Sequence, residues 1–314
     1  MELFLATGNQ MIFLFLLILI GFVLSKYGVL PDGTSKIIAL LENNVFIPAL
    51  VAGTFISNFT PEKIQTAGVL FGFSFLWLIV IVPLSIFIPK WIVKDQHTRN
   101  IFTYGLAFSN FGFMGNSVVL ALFPEIFMEY LIFTLPLWIL IYLWGVPQLL
   151  LPKTEKKGIA SALKRFLNPM LIGMLVGMLI GITGFRLPSA VTSVVDTLGS
   201  CMSPVAMLLT GVTISKIDLK RVFRDYTIYI VSAVRLILIP LAFVALFAFW
   251  SVDRTVVVCT VCAVAMPLGL NTVVIPSAYG KDPTTAAGMA LISHLLSCLT
   301  IPLIFLLLQS VIAF

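Results

Sequence analysis

Long apolar stretches separated by short polar turns run along the whole chain. A helix needs about 20 mostly apolar residues to cross the hydrocarbon core of a bilayer, and ten stretches approach or exceed that length. The predicted spans 1 to 10 are Asn9–Leu24, Ile37–Ile56, Gly68–Ile88, Ile101–Leu122, Phe127–Leu150, Met170–Gly184, Val191–Ile214, Tyr226–Trp250, Val256–Ala278 and Thr285–Ile312. Membrane β-strands would be about ten residues long and would alternate polar with apolar side chains. The pattern therefore predicts an all-α polytopic membrane protein.

Composition supports this prediction. Of the 314 residues, 60% are hydrophobic and 10% are charged, whereas soluble domains average about 45–50% and 25%. Disordered chains have few large apolar residues and many charges, so disorder is excluded. The net charge of +6 does not indicate a nucleic-acid partner, because most of the basic residues lie in alternate loops on one side of the membrane.

The basic loops predict the orientation in the membrane. Lys and Arg collect in cytoplasmic loops. With the N-terminus outside, fifteen of the 19 Lys and Arg residues fall in inner loops and three, Lys63, Arg186 and Arg254, in outer loops. We therefore expect a multi-pass protein of the plasma membrane with both termini outside and a cytoplasmic basic linker.

The two halves of the chain resemble each other at a spacing near 157 residues. The matching landmarks are Leu30-Pro31 with Leu187-Pro188, Pro48 with Pro204, Pro83 with Pro240, Asn116-Ser117-Val118-Val119 with Asn271-Thr272-Val273-Val274, and Pro147 with Pro302. The predicted units are a five-helix repeat at 1–151, a linker at 152–166 and a second repeat at 167–314. Because five spans is an odd number, the second repeat would be inverted, as in many alternating-access transporters.

Spans 4 and 9 contain helix-breaking residues at corresponding places. The candidate substrate-binding residues there are Ser109, Asn110, Gly112, Gly115, Asn116, Ser117, Pro267, Gly269, Asn271 and Thr272. A break in mid-membrane exposes a half-helix N-terminus, whose free N–H groups favour an anion, while the opposing carbonyls suit a cation. The alternative is that these Gly and Pro residues serve only packing or kinks.

Arg235, His294, Glu42 and Asp196 are ionisable residues within predicted spans, where charge is costly. Arg235 lies about 15 Å deep, at 1.5 Å per residue, and has the forked donors that hold a carboxylate. The alternative for Arg235 is a structural ion pair with Asp196 or bonds to carbonyls freed at Pro240. His294 is either a proton-coupling group or a hydrogen-bonded packing residue. Glu42 and Asp196 are either paired or water-facing structural residues, or minor candidates for coupling.

The residues of both breaks resemble the auxin efflux carrier family. The resemblance covers nearly the whole chain and is most specific at Asn110 with Met114-Gly115, at Ala265-Met266-Pro267-Leu268-Gly269 and at Asp282-Pro283. It implies a fold like that of the bile-acid/sodium symporters. Spans 1, 2, 6 and 7 would form a dimerising scaffold, and spans 3–5 and 8–10 a moving transport core with crossed spans 4 and 9.

Two departures bear on the substrate. Plant members of this family have a proline in both crossing helices, whereas span 4 has glycines there, and the 152–166 linker is short. Both features favour the bacterial branch of malate-type organic-anion permeases.

The predicted function is a secondary active transporter or uniporter that moves a small organic anion, either a malate-like carboxylate or an auxin-like acid, by elevator-type alternating access. The alternative is a ligand-sensing membrane receptor without transport. We expect no enzymatic activity, no catalytic residues, no metal site and no cofactor, although coupling to protons or sodium fits the pattern. The expected partners are the anion, the bilayer and a second copy of the chain, with no nucleic acid.

Overall fold

A computed structural model describes residues 2–151, 169–250, 252–269, 271–273 and 284–311. The predicted linker at 152–166 and the Asp282-Pro283 motif lie outside the described residues. Within these ranges all regular elements are helices, and the only β-type pairing is a single antiparallel bridge between Ser109 and Leu268. The all-α prediction is therefore confirmed for the described chain.

The helices follow one another with short connections. The first half contains α1 (Glu2–Lys26), α2 (Thr34–Asn58), α3 (Lys63–Ile92), α4 (Gln96–Ala107), α5 (Phe111–Leu122) and α6 (Pro124–Leu150). The second half contains α7 (Pro169–Thr183), α8 (Ser189–Ile214), α9 (Leu219–Arg224), α10 (Tyr226–Phe249), α11 (Arg254–Val264) and α12 (Thr284–Val311). Wider π-type turns occur in α2 at Glu42–Phe46 and in α10 at Val234–Leu238.

Seven of the described helices, α1, α2, α3, α6, α8, α10 and α12, are long and apolar enough to cross a membrane. Helices α5, α7 and α11 are apolar but shorter. Predicted spans 4 and 9 are therefore each represented by shorter segments, because the chain leaves the helical conformation after Ala107 and after Val264. The count of ten spans stays a prediction.

The outer surface of the molecule is strongly apolar. Ile79 on α3, Leu179 on α7 and Phe249 on α10 are 69%, 67% and 93% exposed. Monomeric soluble proteins rarely expose large contiguous apolar patches, whereas a hydrocarbon environment favours such side chains on the outside. Together with the seven long apolar helices, this surface is that of a multi-pass membrane protein.

Helices α1, α2, α7 and α8 pack closely, α1 against α8 and α2 against both α7 and α8. Glycines make the closest approaches. A Cβ atom added at Gly173 would lie 2.8 Å from Pro48 O, one at Gly177 2.7 Å from Ala52 O, and one at Gly181 2.6 Å from Phe55 O. The spacing of four along α7 predicts this close helix packing, and the structure confirms it.

A second group of helices surrounds the interruptions. Helix α3 packs on α4 and α6, α11 packs on α6, and α10 packs on α12, while α12 also lies along α1 of the first group. Aspartates cap four of the described helices: Asp95 accepts from the Thr98 N–H at the start of α4, and Asp218, Asp225 and Asp253 accept main-chain N–H groups at the starts of α9, α10 and α11. The Thr98 N–H holds the pKa of the Asp95 carboxyl below its ordinary value, because it stabilises the charged form.

Candidate functional site

The chain crosses itself where α4 and α11 end. Phe108 is extended and Asn110 has a non-helical φ of −79° and ψ of 45°. Ser109 pairs with Leu268 in the antiparallel bridge, and the Asn110 N–H donates to Pro267 O at 2.7 Å. The Ser109 hydroxyl donates to Ala263 O at 2.6 Å. Two short extended segments, one from each half of the chain, are thus held against each other inside the protein.

Local sequence explains why both segments leave the helical conformation. Pro267 has no N–H to continue α11, and its ring would clash with the carbonyl one turn earlier. Gly269 allows the segments to meet, since a Cβ atom there would lie 3.2 Å from Ser109 O. After the first segment, a Cβ atom at Gly112 would lie 2.5 Å from the Trp138 ring. Gly112 therefore allows the Trp138 indole to pack closely, whereas Gly269 allows the close approach of another main-chain segment.

A cavity of about 20 Å³ lies at this crossing. Its lining residues are Tyr104, Ser109, Asn110, Phe111, Gly112, Phe113, Trp138, Ile141, Gly269 and Asn271. A water molecule needs roughly 10–15 Å³ by this measure, so the cavity has room for about one water and not for an organic acid. The cavity is therefore too small for an organic anion in this conformation.

The first turn of α5 supplies main-chain donors at the cavity. Its first internal hydrogen bond runs from the Gly115 N–H to Asn110 O at 2.9 Å. The N–H groups of Phe111, Gly112 and Phe113 precede that bond and have no acceptor within the helix, as at every helix start. They carry part of the positive end of the helix dipole, so this edge of the cavity favours negative charge.

Side-chain donors complete the lining. The Asn271 amide donates to the Tyr104 hydroxyl at 3.1 Å and joins the two halves of the chain. Asn110 is 2% exposed, and its amide nitrogen lies 3.1 Å from His294 Nε2 on α12. His294 Nδ1 lies 2.7 Å from Ala290 O.

The neighbours of His294 determine its tautomer. A carbonyl oxygen only accepts hydrogen bonds, so Nδ1 carries the hydrogen that goes to Ala290 O. In the neutral ring Nε2 is then the acceptor, and the Asn110 amide donates to it. His294 thereby fixes the orientation of an amide that lines the cavity.

Five of the ten predicted break residues do not line the cavity: Gly115, Asn116, Ser117, Pro267 and Thr272. The hydroxyls of Ser117 and Thr272 donate to Phe113 O and Gly269 O in their own segments. A Cβ atom at Gly115 would collide with the Tyr130 hydroxyl. The buried Oδ1 of Asn116 has no hydrogen-bond partner among the described residues.

The ionisable residues of the spans lie in three different places. Arg235 is completely buried beside the crossing, and it donates to main-chain carbonyls rather than to Asp196. Asp196 lines a groove of about 290 Å³ between α2 and α8. Glu42 is completely buried in the π turn of α2, near α7 and α8, and neither carboxylate oxygen has a partner in the described part of the chain. The crossing thus brings together Asn110, His294 and Arg235, but not the two acids.

Sequence analysis missed four residues that shape the crossing. Tyr104 and Trp138 line the cavity, the Tyr130 hydroxyl donates to Phe111 O at 3.1 Å, and the Ser293 hydroxyl accepts from the Leu268 N–H at 3.1 Å. Ser293 adjoins His294, and a polar pair in the middle of an apolar helix is recognisable in the sequence as a candidate functional position. The aromatic residues carry no such signal, because aromatic side chains are frequent throughout the spans.

Comparison with known protein families identifies the family of this chain. The family described as "Membrane transport protein" matches residues 7–161 and 147–305, which together cover most of the chain. No curated protein shows a significant match. The matched ranges include both segments of the crossing, and the family is the one that the residues of the two breaks resemble. The chain belongs to this membrane transport family, that of the auxin efflux carriers.

Proposed function

We propose that this membrane transporter moves a small organic anion, as a secondary transporter or uniporter, by elevator-type alternating access. The observation that carries the proposal is the crossing of two non-helical segments from the two halves of the chain at a small cavity that has both polar and aromatic lining residues. Membrane transporters commonly bind their substrates between discontinuous helices at the membrane centre.

An anion is the substrate class that the donors of this cavity favour. The N–H groups at the start of α5, the amides of Asn110 and Asn271 and the Tyr104 hydroxyl are all able to donate hydrogen bonds. Among the residues that the structure describes, no acidic side chain lines the cavity. Hydrogen bonds to a charged acceptor are roughly twice as strong as those between neutral groups, so a carboxylate gains most from this lining.

The cavity has to enlarge before it accepts an organic acid. The packing supports a division into a scaffold, formed by α1, α2, α7 and α8, and a transport core formed by the helices around the crossing. We propose that these are parts of two inverted five-span repeats, that the scaffold dimerises, and that movement of the core opens the site to each side. Both termini would lie outside the plasma membrane and the basic linker inside.

Coupling to protons would act through His294. Both ring nitrogens already have partners, so a proton added at Nε2 would displace the hydrogen of the Asn110 amide. The amide would then have to turn its oxygen toward the ring, which changes the groups facing the cavity. In a transport cycle driven by the membrane voltage alone, the hydrogen bond between Asn110 and His294 would stay unchanged.

The test is uptake of radiolabelled malate, and of an aromatic monocarboxylate in parallel, into liposomes containing the purified protein. Asn110→Ala and Asn271→Ala each remove a donor to the substrate, so we expect uptake to fall about tenfold or more, corresponding to the 1.5–3 kcal/mol of a hydrogen bond to a charged group. Imposed pH, sodium and voltage gradients then separate the three driving forces.

The matched control is Asn44→Ala. Asn44 is exposed and donates only to Leu40 O of its own helix, so its loss should leave uptake unchanged. Wild-type rates in both Asn110→Ala and Asn271→Ala would show that the crossing is not the substrate site. Saturable binding of an anion without any uptake would instead favour a receptor.

A further inference from the structure

Arg235 has an unusual environment for a charged side chain. It belongs to the π turn Val234–Leu238 of α10 and is completely buried. Its guanidinium donates three hydrogen bonds, from Nη1 to Leu106 O at 2.9 Å, from Nη2 to Ala263 O at 3.2 Å and from Nε to Met266 O at 3.2 Å. All three acceptors are main-chain carbonyls.

These carbonyls belong to the ends of two helices. Leu106 O lies in the last turn of α4, Ala263 O lies in the last turn of α11, and Met266 O follows immediately after α11. The last four carbonyls of a helix have no partner inside the helix, and together they carry about half a negative charge. Two negative helix ends therefore meet at one guanidinium.

Such a cluster of carbonyls at broken-helix ends is the kind of site that coordinates a coupling cation in secondary transporters. We infer that Arg235 is a built-in cation, which occupies this carbonyl cluster permanently, so that transport requires no sodium there. This inference rests on the proposed transport function. It also assigns Arg235 a positioning role rather than a substrate-binding one, since Arg235 does not line the cavity.

The shape of the side chain fits this role. The guanidinium is a rigid planar fork with five N–H donors, and its three bonds join the end of α4 to the end of α11. Lysine would supply the charge from a single ammonium group with different geometry. Alanine would remove the guanidinium donors from all three carbonyls, of which Ala263 O alone would keep another donor among the described residues, the Ser109 hydroxyl, and it would open a cavity lined by oxygen atoms. That cavity should accept a small free cation, and guanidinium best of all.

The experiment compares wild type, Arg235→Ala and Arg235→Lys, each as the full-length protein in liposomes and in detergent. Wild-type uptake should be unchanged when sodium is replaced by choline at constant ionic strength. We expect Arg235→Ala to lose about tenfold or more of its uptake, because three charge-assisted bonds are removed. Guanidinium chloride at low millimolar concentration should restore part of the uptake and raise the unfolding temperature of this variant.

The matched control is Arg99→Ala. Arg99 also donates to carbonyls, Val93 O and Lys94 O, but in the connection before α4, so guanidinium should have no effect on this variant. Sodium-dependent uptake by the wild type, or a variant that guanidinium neither stabilises nor reactivates, would overturn the inference. If Arg235→Ala cannot be purified, Arg235→Lys provides the test. Uptake by Arg235→Lys that is lower than that of the wild type and unchanged by sodium supports the inference. Uptake at the wild-type rate, or uptake that depends on sodium, overturns it.

The melting measurement separates this inference from the proposed function. If the wild type moves no anion, the transport proposal fails. Stabilisation of Arg235→Ala by guanidinium would still identify the carbonyl cluster as a cation site, and its absence would reject that site.

Discussion

At the residue scale, the crossing depends on a few polar side chains that satisfy backbone groups freed from the helices. Ser109 donates to the end of α11, Ser293 accepts from the Leu268 N–H, and Asn110 is oriented by His294. A buried main-chain group without a partner costs free energy comparable to a lost hydrogen bond. The proposed substrate cavity is therefore built by side chains that also stabilise the fold.

Ser293 provides a test at this scale. Replacing Ser293 by alanine leaves the buried Leu268 N–H without its acceptor, which should lower the free energy of unfolding by about 1–3 kcal/mol and reduce uptake. Ser297 on the same helix is equally buried, but its hydroxyl donates only to His294 O. Ser297→Ala should therefore have a much smaller effect. Equal thermal stability of the two variants would contradict the role given to Ser293.

At the scale of the helix, two features determine the positions of the helices. Glycines let α7 approach the main chain of α2, and aspartates begin the helices that lead to the crossing. The first feature fixes the distance between helices and the second fixes where a helix starts. Both can be tested by single substitutions distant from the cavity.

Gly177→Ala should destabilise the packing of α7 on α2. Its new Cβ atom would lie 2.7 Å from Ala52 O, and overpacking of this kind typically costs about 1–3 kcal/mol. The matched control is Gly72→Ala on α3, where a Cβ atom meets nothing within 4 Å. Thermal unfolding in detergent should show a lower midpoint for Gly177→Ala only; a lower midpoint for Gly72→Ala instead would refute the packing argument.

Asp95→Ala should weaken the start of α4 by about 0.5–2 kcal/mol, the usual value of an N-cap, whereas Asp95→Asn keeps most of the cap. The pKa of Asp95 is lower in the folded protein. Its contribution to stability is therefore complete above the pKa of the unfolded chain and is lost as the pH falls through the folded value. Unfolding midpoints measured across the acid range should show a smaller pH dependence in both variants than in wild type.

At the scale of the whole molecule, the distribution of charge predicts the orientation. The fifteen Lys and Arg residues of alternate loops would all face the cytoplasm if ten spans are present. Cysteines introduced at positions 156 and 281 should both be protected from an impermeant thiol reagent in intact cells, while one at position 63 should react. Labelling of either 156 or 281 from outside would reject the ten-span arrangement.

Sequence alone predicted the helical class, the multi-pass membrane character, the family and half of the residues that line the cavity at the crossing. These follow from local properties: continuous apolar runs, Pro and Gly inside them, and Asn, Ser and Thr beside the breaks. Five of the ten predicted break residues line the cavity. Of the other five, Asn116 and Ser117 lie on α5, which presents neighbouring residues to different sides.

Only the tertiary structure decided what the buried polar groups contact. The partners of Arg235 are 28, 31 and 129 residues away along the chain, so no local spacing indicates that it binds carbonyls rather than a substrate. The same holds for His294 and Asn110, which are 184 residues apart. Continuous apolar runs determine which segments of a chain enter the membrane. The partners of a buried charge depend instead on which helix ends the fold brings together around it.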